Sequence, residues 1–237
     1  EIKKLISFTI NKNLFLISIL YYKKIMYYND KIEILKHLFG TNNVKLGENY
    51  IDISDIRYNI YNDIIYLNQE VIGDIEKQST IKTFGQEWKE FNKISAEHYS
   101  EFEQYFDLIK INDLDNKIVA DFGCGIGRWS KILIDKVDLK NLVLFDYSEA
   151  IEVARENFRE YKNVIFIKGD IENIPFKNNS IDFFICLGVI HHLENEENIS
   201  MKKITKCCSK GIVYLYYDLE FRSLFYKLIF NISDIIR

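Results

Sequence analysis

Three glycines in five residues, Gly123, Gly125 and Gly127, follow an apolar run that ends in Asp121, and they precede Arg128 and Trp129. Residues without a Cβ let the chain turn sharply and let a ligand come close to the backbone, whose amides face outward where a helix begins. The spacing is G-x-G-x-G, with Arg128 where a dinucleotide loop of the form G-x-G-x-x-G would approach its last glycine. Taken alone, this loop reads equally as a ligand cradle or as a plain strand-to-helix turn. Asp146 ends the next apolar run about 20 residues on, where a carboxylate can accept hydrogen bonds from both ribose hydroxyls of a nucleoside. A third run closes in Gly169-Asp170-Ile171, which offers a carboxylate to an adenine amino group and an apolar side chain to its ring. One aspartate after a strand commonly caps a helix or turn. Three in this order are harder to assign to capping and suit a bound nucleoside.

The elements that must hold these residues alternate along the second half of the chain. Apolar runs at 117–121, 141–146, 164–168, 181–187 and 211–217 read as strands, and 128–136, 149–161 and 194–206 read as amphipathic helices between them. Continuous apolar strands joined by helices predict a parallel sheet covered on both faces. The first half differs. Residues 49–68 alternate apolar and polar side chains with Asn-Asp at a turn, which predicts a small antiparallel hairpin. Between the halves, 87–110 carries Trp88, Phe91, Tyr99, Phe102 and Phe106 at helical spacing. The boundary is placed near 78–84. The fold class expected is therefore α/β, a Rossmann-like, doubly wound and mostly parallel sheet, with a small N-terminal α+β appendage over 1–80 and the main domain over 81–237.

The four runs V-A-D-F-G-C-G-I-G-R-W, L-F-D-Y-S, G-D-I-E-N-I-P-F and D-F-F-I-C-L-G-V-I-H-H-L together resemble the successive motifs of class I S-adenosylmethionine-dependent methyltransferases, of the small-molecule, methyltransferase-domain-11-like type. The resemblance covers about a third of the chain. It implies S-adenosyl-L-methionine as cofactor, with Asp121, Gly123, Cys124, Gly125 and Gly127 toward its methionine moiety and Asp146 at the ribose. Tyr147 and Ile171 would flank the adenine, Asp170 would meet its edge, and Leu187 and Gly188 would line the cofactor from the fourth strand. The family's sheet order is 3-2-1-4-5-7-6. Since this chain ends after a fifth strand and a helix at 219–235, the last strands are expected to be missing, which would leave Val213, Leu215 and Tyr217 on an open edge. F-G-Q-E-W-K-E-F resembles a segment that forms part of a lid in a subset of the family, so 84–112 is expected to be a helical lid. Trp88 and Tyr99 there could cover a sulfonium or simply pack. The 51–60 hairpin faintly resembles a zinc-ribbon-like module without its cysteines, so no metal is expected.

Composition narrows the function further. A net charge of -4 with no lysine-arginine block disfavours nucleic acid as a partner. Four cysteines without a C-x-x-C pair fit neither a disulfide framework nor a zinc site, and a reducing cytoplasm is the expected location. The apolar stretch 14–22 is far shorter than the roughly 20 residues that cross a bilayer, so it reads as a buried strand or helix and no transmembrane segment is expected. Methyl transfer is an in-line displacement that depends mainly on positioning and on exclusion of water. His191 and His192 follow the fourth strand, where one could take a proton from a nucleophile or merely cap the loop. The acceptor expected is a small molecule, a sugar or a lipid-linked compound. Two other functions stay open: an NAD(P)-type nucleotide-binding oxidoreductase and a non-catalytic binding module on a methyltransferase fold. Oligomeric state is not legible.

Overall fold

A computed structural model of the chain describes residues 27–67, 94–192 and 197–215. In chain order these form α1 (Ile32–Phe39), β1 (Val44–Leu46), β2 (Tyr50–Ile53), β3 (Ile56–Tyr61), β4 (Ile64–Tyr66), α2 (Ala96–Tyr105), β5 (Ile118–Phe122), α3 (Arg128–Lys136), β6 (Asn141–Asp146), α4 (Ala150–Asn157), β7 (Val164–Lys168), β8 (Phe183–Leu187), α5 (Glu197–Cys207) and β9 (Gly211–Tyr214). All nine strands join one sheet in the order β1-β2-β3-β4-β7-β6-β5-β8-β9. From β4 to β9 every neighbouring pair is parallel, while β1 to β4 form an antiparallel meander.

The parallel strands are apolar apart from Asp121, Asn141, Asp146 and Lys168 at or near their ends, because both of their faces are covered. One face packs against α1 and α5 through Leu35, Leu38 and Ile204, and the other against α2, α3 and α4 through Phe102, Ile132, Leu133, Ile151 and Ala154. The sheet is thus the doubly wound α/β arrangement that the alternation predicts, and β7-β6-β5-β8-β9 reproduces the expected order 3-2-1-4-5. The chain reverses its direction of travel across the sheet between β5 and β8. Ligands of open α/β sheets bind at such a switch point, beyond the carboxyl ends of the strands.

The first half contains more sheet than the single hairpin expected. Two tight turns fold it, Ser54-Asp55 and Asn62-Asp63, and all four residues adopt left-handed backbone. A pair of positive φ values is what a two-residue turn matching the strand twist requires. The last strand, β4, then pairs in parallel with β7, its Ile64 and Ile65 being fully buried. This meander extends the β7 edge, the edge opposite β9. Among the described residues β9 is the outer strand on its side, with Val213 half-buried and Leu215 exposed. The stretch 14–22, the boundary at 78–84, Trp88 and the helix at 219–235 lie outside the described residues.

Candidate functional site

Everything at the switch point hangs from the turn that leaves β5. Gly123, Gly125 and Gly127 all have left-handed backbone, with φ of 75°, 55° and 77°. The amides of Gly123 and Cys124 donate to the carbonyl of Phe145, 2.7 and 3.2 Å away, which ties the loop to the end of β6. Asn157 of α4 donates to the carbonyl of Ile126 at 3.0 Å. A Cβ at position 123 would run into the Val189 side chain, and one at 127 would lie 2.5 Å from Phe158 Cε2. Sterics and backbone angle together therefore demand glycine at both places.

Asp146 ends β6 and is only 8% exposed. Its Oδ2 accepts a hydrogen bond from the Gly125 amide at 2.7 Å, and its Oδ1 accepts from both the amide and the hydroxyl of Ser148 at 2.7 Å. Burial nevertheless raises its pKa above the usual carboxylate value, against those hydrogen bonds and a smaller pull from Lys168. Asp121, near the end of β5, is 3% exposed and accepts from the Ser130 hydroxyl of α3 at 2.6 Å. Burial pushes its carboxyl up to about 7, with repulsion from Asp146 adding to the shift and the Ser130 bond opposing it. Two buried acids thus flank one glycine loop.

The remaining expected residues fall around the same strand ends. Asp170 starts a 3-10 turn, Ile171–Asn173, where its carboxylate accepts from the Glu172 amide at 2.9 Å and the Asn173 side chain at 3.2 Å. Ile171 is buried in the core on the α1 side, and Tyr147 is half-buried after β6. Cys124 is buried and its thiol is pushed far up by that burial, as is the Cys186 thiol within β8. Leu187 and Gly188 close β8 half-buried, and the Gly188 amide donates to Tyr214. His191 lies half-buried in the 3-10 turn Ile190–His192, and the side chain of His192 is outside the described ones. Tyr99 of α2 is exposed, while Tyr105 packs between Trp129 and Tyr214 with ring centroids 5.0 Å from each. Among the described residues no three histidine, cysteine or acidic side chains gather as metal ligands would. No described helix is long and apolar enough to cross a membrane.

Four groups at this site escape a reading of the sequence. Ser148 carries a local signal, since Asp-x-Ser is a common turn in which the aspartate accepts from the residue two ahead. Ser130 needs the knowledge that α3 folds back over β5. Val189 and Phe158 meet the glycines only through tertiary packing.

A doubly wound sheet whose switch point carries a glycine loop, with acids at the ends of consecutive strands, is an arrangement that suits a nucleoside ligand. Residues 119–211 match the family model described as a methyltransferase domain. Residues of this chain are 32% identical over 83 positions to malonyl-[acyl-carrier protein] O-methyltransferase 2 of Coxiella burnetii, covering 35% of this chain and 34% of that protein. They are 26% identical over 127 positions to tRNA U34 carboxymethyltransferase of Campylobacter fetus, covering 53% and 40%. A solved SAM-dependent methyltransferase from Aquifex aeolicus overlays with a TM-score of 0.46 at 22% identity, over 55% of this chain and 70% of that one. Over that segment the chain is similar to S-adenosylmethionine-dependent methyltransferases, as the motifs of the sequence lead one to expect. It spans between 21% and 40% of the length of the curated relatives it matches.

Proposed function

We propose that this chain binds S-adenosylmethionine at the β5–β7 strand ends and transfers its methyl group to a small-molecule, sugar, or lipid- or carrier-linked acceptor. The observation that carries the reading is the junction of Gly125 and Asp146, in which a left-handed glycine presents its amide to the carboxylate that ends the neighbouring strand. The site also suits the charge of the cofactor: two buried acids that form no salt bridge among the described residues favour a ligand bearing an ammonium and a sulfonium. The space a Cβ would take at 123 and 127 is already contested by Val189 and Phe158, so the backbone itself forms the cradle.

When bound, the cofactor supplies an electrophilic methyl group on a positively charged sulfur. The protein's own residues hold and screen. Asp146 would accept from the ribose hydroxyls with its remaining lone pairs, Asp170 would meet the adenine edge, and Tyr147 and Ile171 would flank the ring. Leu187 and Gly188 would close the site from β8. His191 and His192 stand as candidates to take a proton from the acceptor, and no further catalytic group is assigned. Residues 81–237 would form the methyltransferase domain, with 1–80 adding strands to its sheet. The absence of a basic block supports an acceptor other than nucleic acid.

Calorimetric titration with S-adenosylmethionine, S-adenosylhomocysteine and NADH tests the cofactor. Binding of the first two and not of NADH is expected; binding of NADH alone would overturn the reading. The acceptor is tested by transfer of labelled methyl from S-adenosylmethionine in metabolite, lipid and tRNA fractions. Label confined to tRNA would refute the acceptor class and leave the cofactor in place.

A further inference from the structure

The interior of this site contains a carboxyl with an unusual set of neighbours. Asp121 is enclosed by β5, β6, β8, α3 and the glycine loop. The groups facing it are the Ser130 hydroxyl of α3, the Asp146 carboxylate of β6, the Cys186 thiol of β8 and the Cys124 thiol of the loop. None of these is a cation. Elsewhere in the molecule an acid that is less enclosed has one: Asp63 receives Arg155 at 2.5 Å. Among the described residues the only hydrogen bond to the Asp121 carboxyl comes from Ser130. A carboxylate placed so, beside a second buried acid, is costly to ionise until a positive charge arrives.

We infer that Asp121 holds a proton in the empty protein and releases it when the ammonium group of the cofactor's methionine moiety enters the glycine loop, with Ser130 setting the point at which it does so. This rests on the cofactor reading above and adds a proton to it. On entry of the ligand the O–H bond of the Asp121 carboxyl breaks, the proton passes to the buffer, and the carboxylate left behind faces the ammonium. No electron transfer is involved. The direction is fixed by linkage: a ligand that favours the ionised form binds more weakly as pH falls and the proton must be displaced. The burial that pushes Asp121 up to about 7 places the change at neutral pH. S-adenosylmethionine and S-adenosylhomocysteine share the ammonium, so both should release the proton, whereas adenosine, which lacks it, should release none.

Titration calorimetry at pH 6.5 in buffers of differing ionisation enthalpy counts the protons. At that pH the ligand's amino group, ordinarily titrating near 7.7–8.0, is almost entirely charged and contributes less than about a tenth of a proton. The expected result is release of most of one proton per site with either methionine-bearing ligand and of none with adenosine. Affinity should fall by up to tenfold per pH unit below 7. The Asp121→Asn variant should bind more weakly, release nothing, and lose this pH dependence. In the ligand-free protein, carbon-13 NMR of labelled aspartate should show one carboxyl titrating near neutrality that disappears in Asp121→Asn and titrates at higher pH in Ser130→Ala. Tight binding with no proton released, or an Asp121 carboxyl that titrates in the ordinary carboxylate range, overturns the inference and leaves the cofactor reading intact. No binding of either methionine-bearing ligand overturns both.

Discussion

The strand ends at β5–β7 and the β1–β4 meander are both rich in aspartate, yet they treat their aspartates in opposite ways. In the meander Asp52 is clamped by the guanidinium of Arg57, and Asp63 by that of Arg155 in α4. These carboxylates have their charge answered within the fold. At the strand ends Asp121 and Asp146 are more deeply buried, accept hydrogen bonds among the described residues only from hydroxyls and amides, and are pushed toward the neutral form. The paired acids are answered by an arginine of the fold, whereas among the described residues no cation forms an ion pair with Asp121 or Asp146, and in the proposed function the ligand would bring one. The contrast can be broken by experiment at five positions.

Gly127→Val should have the largest effect. The backbone there is left-handed at φ 77° and a Cβ would strike Phe158, so strain and overpacking combine to a loss of roughly 4 kcal/mol or more. Thermal melting would show it, together with loss of cofactor binding. A variant as stable as the parent would mean that the loop adjusts and is not the rigid cradle described.

Asp121→Asn should instead stabilise the ligand-free protein at pH 8. Its folded pKa of about 7 lies above the unfolded value, so the folded state binds the proton more tightly. No penalty exists below the unfolded pKa; it grows as pH rises through the interval and is complete above the folded pKa. An uncharged amide removes that penalty, a gain on the order of 2–4 kcal/mol at pH 8 that should vanish near pH 4. Melting curves across this range would show whether the gain fades toward acid pH, as the sign requires.

Asp146→Ala should cost on the order of 1.5–3 kcal/mol of cofactor affinity, roughly ten- to a hundredfold. Because Asp146 also holds the Gly125 amide and Ser148, circular dichroism must show an intact fold and Ser148→Ala serves as the control. Unchanged affinity in a folded Asp146→Ala protein would remove the carboxylate from the site. In the meander, Asp63→Ala should lower stability by about 1–2 kcal/mol, since it strands a partly buried Arg155, and should leave cofactor affinity within about twofold. A larger change in affinity would erase the division between the two regions.

Legibility followed the same division. The glycine loop and the acids at 121, 146 and 170 sit in short runs whose order along the chain is their order in the site, so β5, β6 and β7 could be placed to within a residue of their observed bounds. Asn62-Asp63 was legible as a turn because asparagine and aspartate tolerate left-handed backbone. What stayed hidden depends on contacts between distant segments. Nothing local in Ile64-Ile65-Tyr66 tells that this strand turns from antiparallel pairing with β3 to parallel pairing with β7, because burial on both faces is a property of the finished sheet. The closeness of Ser130 to Asp121 likewise appears only once α3 is laid over β5.

Asp170 offers the smallest and most discriminating test, because it already has structural work to do. Its carboxylate caps the Ile171–Asn173 turn through the Glu172 amide and also accepts from the Asn173 side chain. It is half-exposed to solvent relative to Asp121 and Asp146, so water can replace part of whatever it contributes to a ligand. Asp170→Ala should therefore lower stability by about 0.5–1 kcal/mol, the ordinary cost of a lost cap, and weaken cofactor binding by only about two- to fivefold. Asp170→Asn separates the two roles: its side-chain oxygen can still accept from the Glu172 amide and an adenine amine, so both losses should shrink. If Asp170→Ala loses stability and no affinity, this aspartate belongs with those of the meander as a purely structural group. A loss of affinity as large as that of Asp146→Ala would instead put the adenine edge on a par with the ribose in recognition.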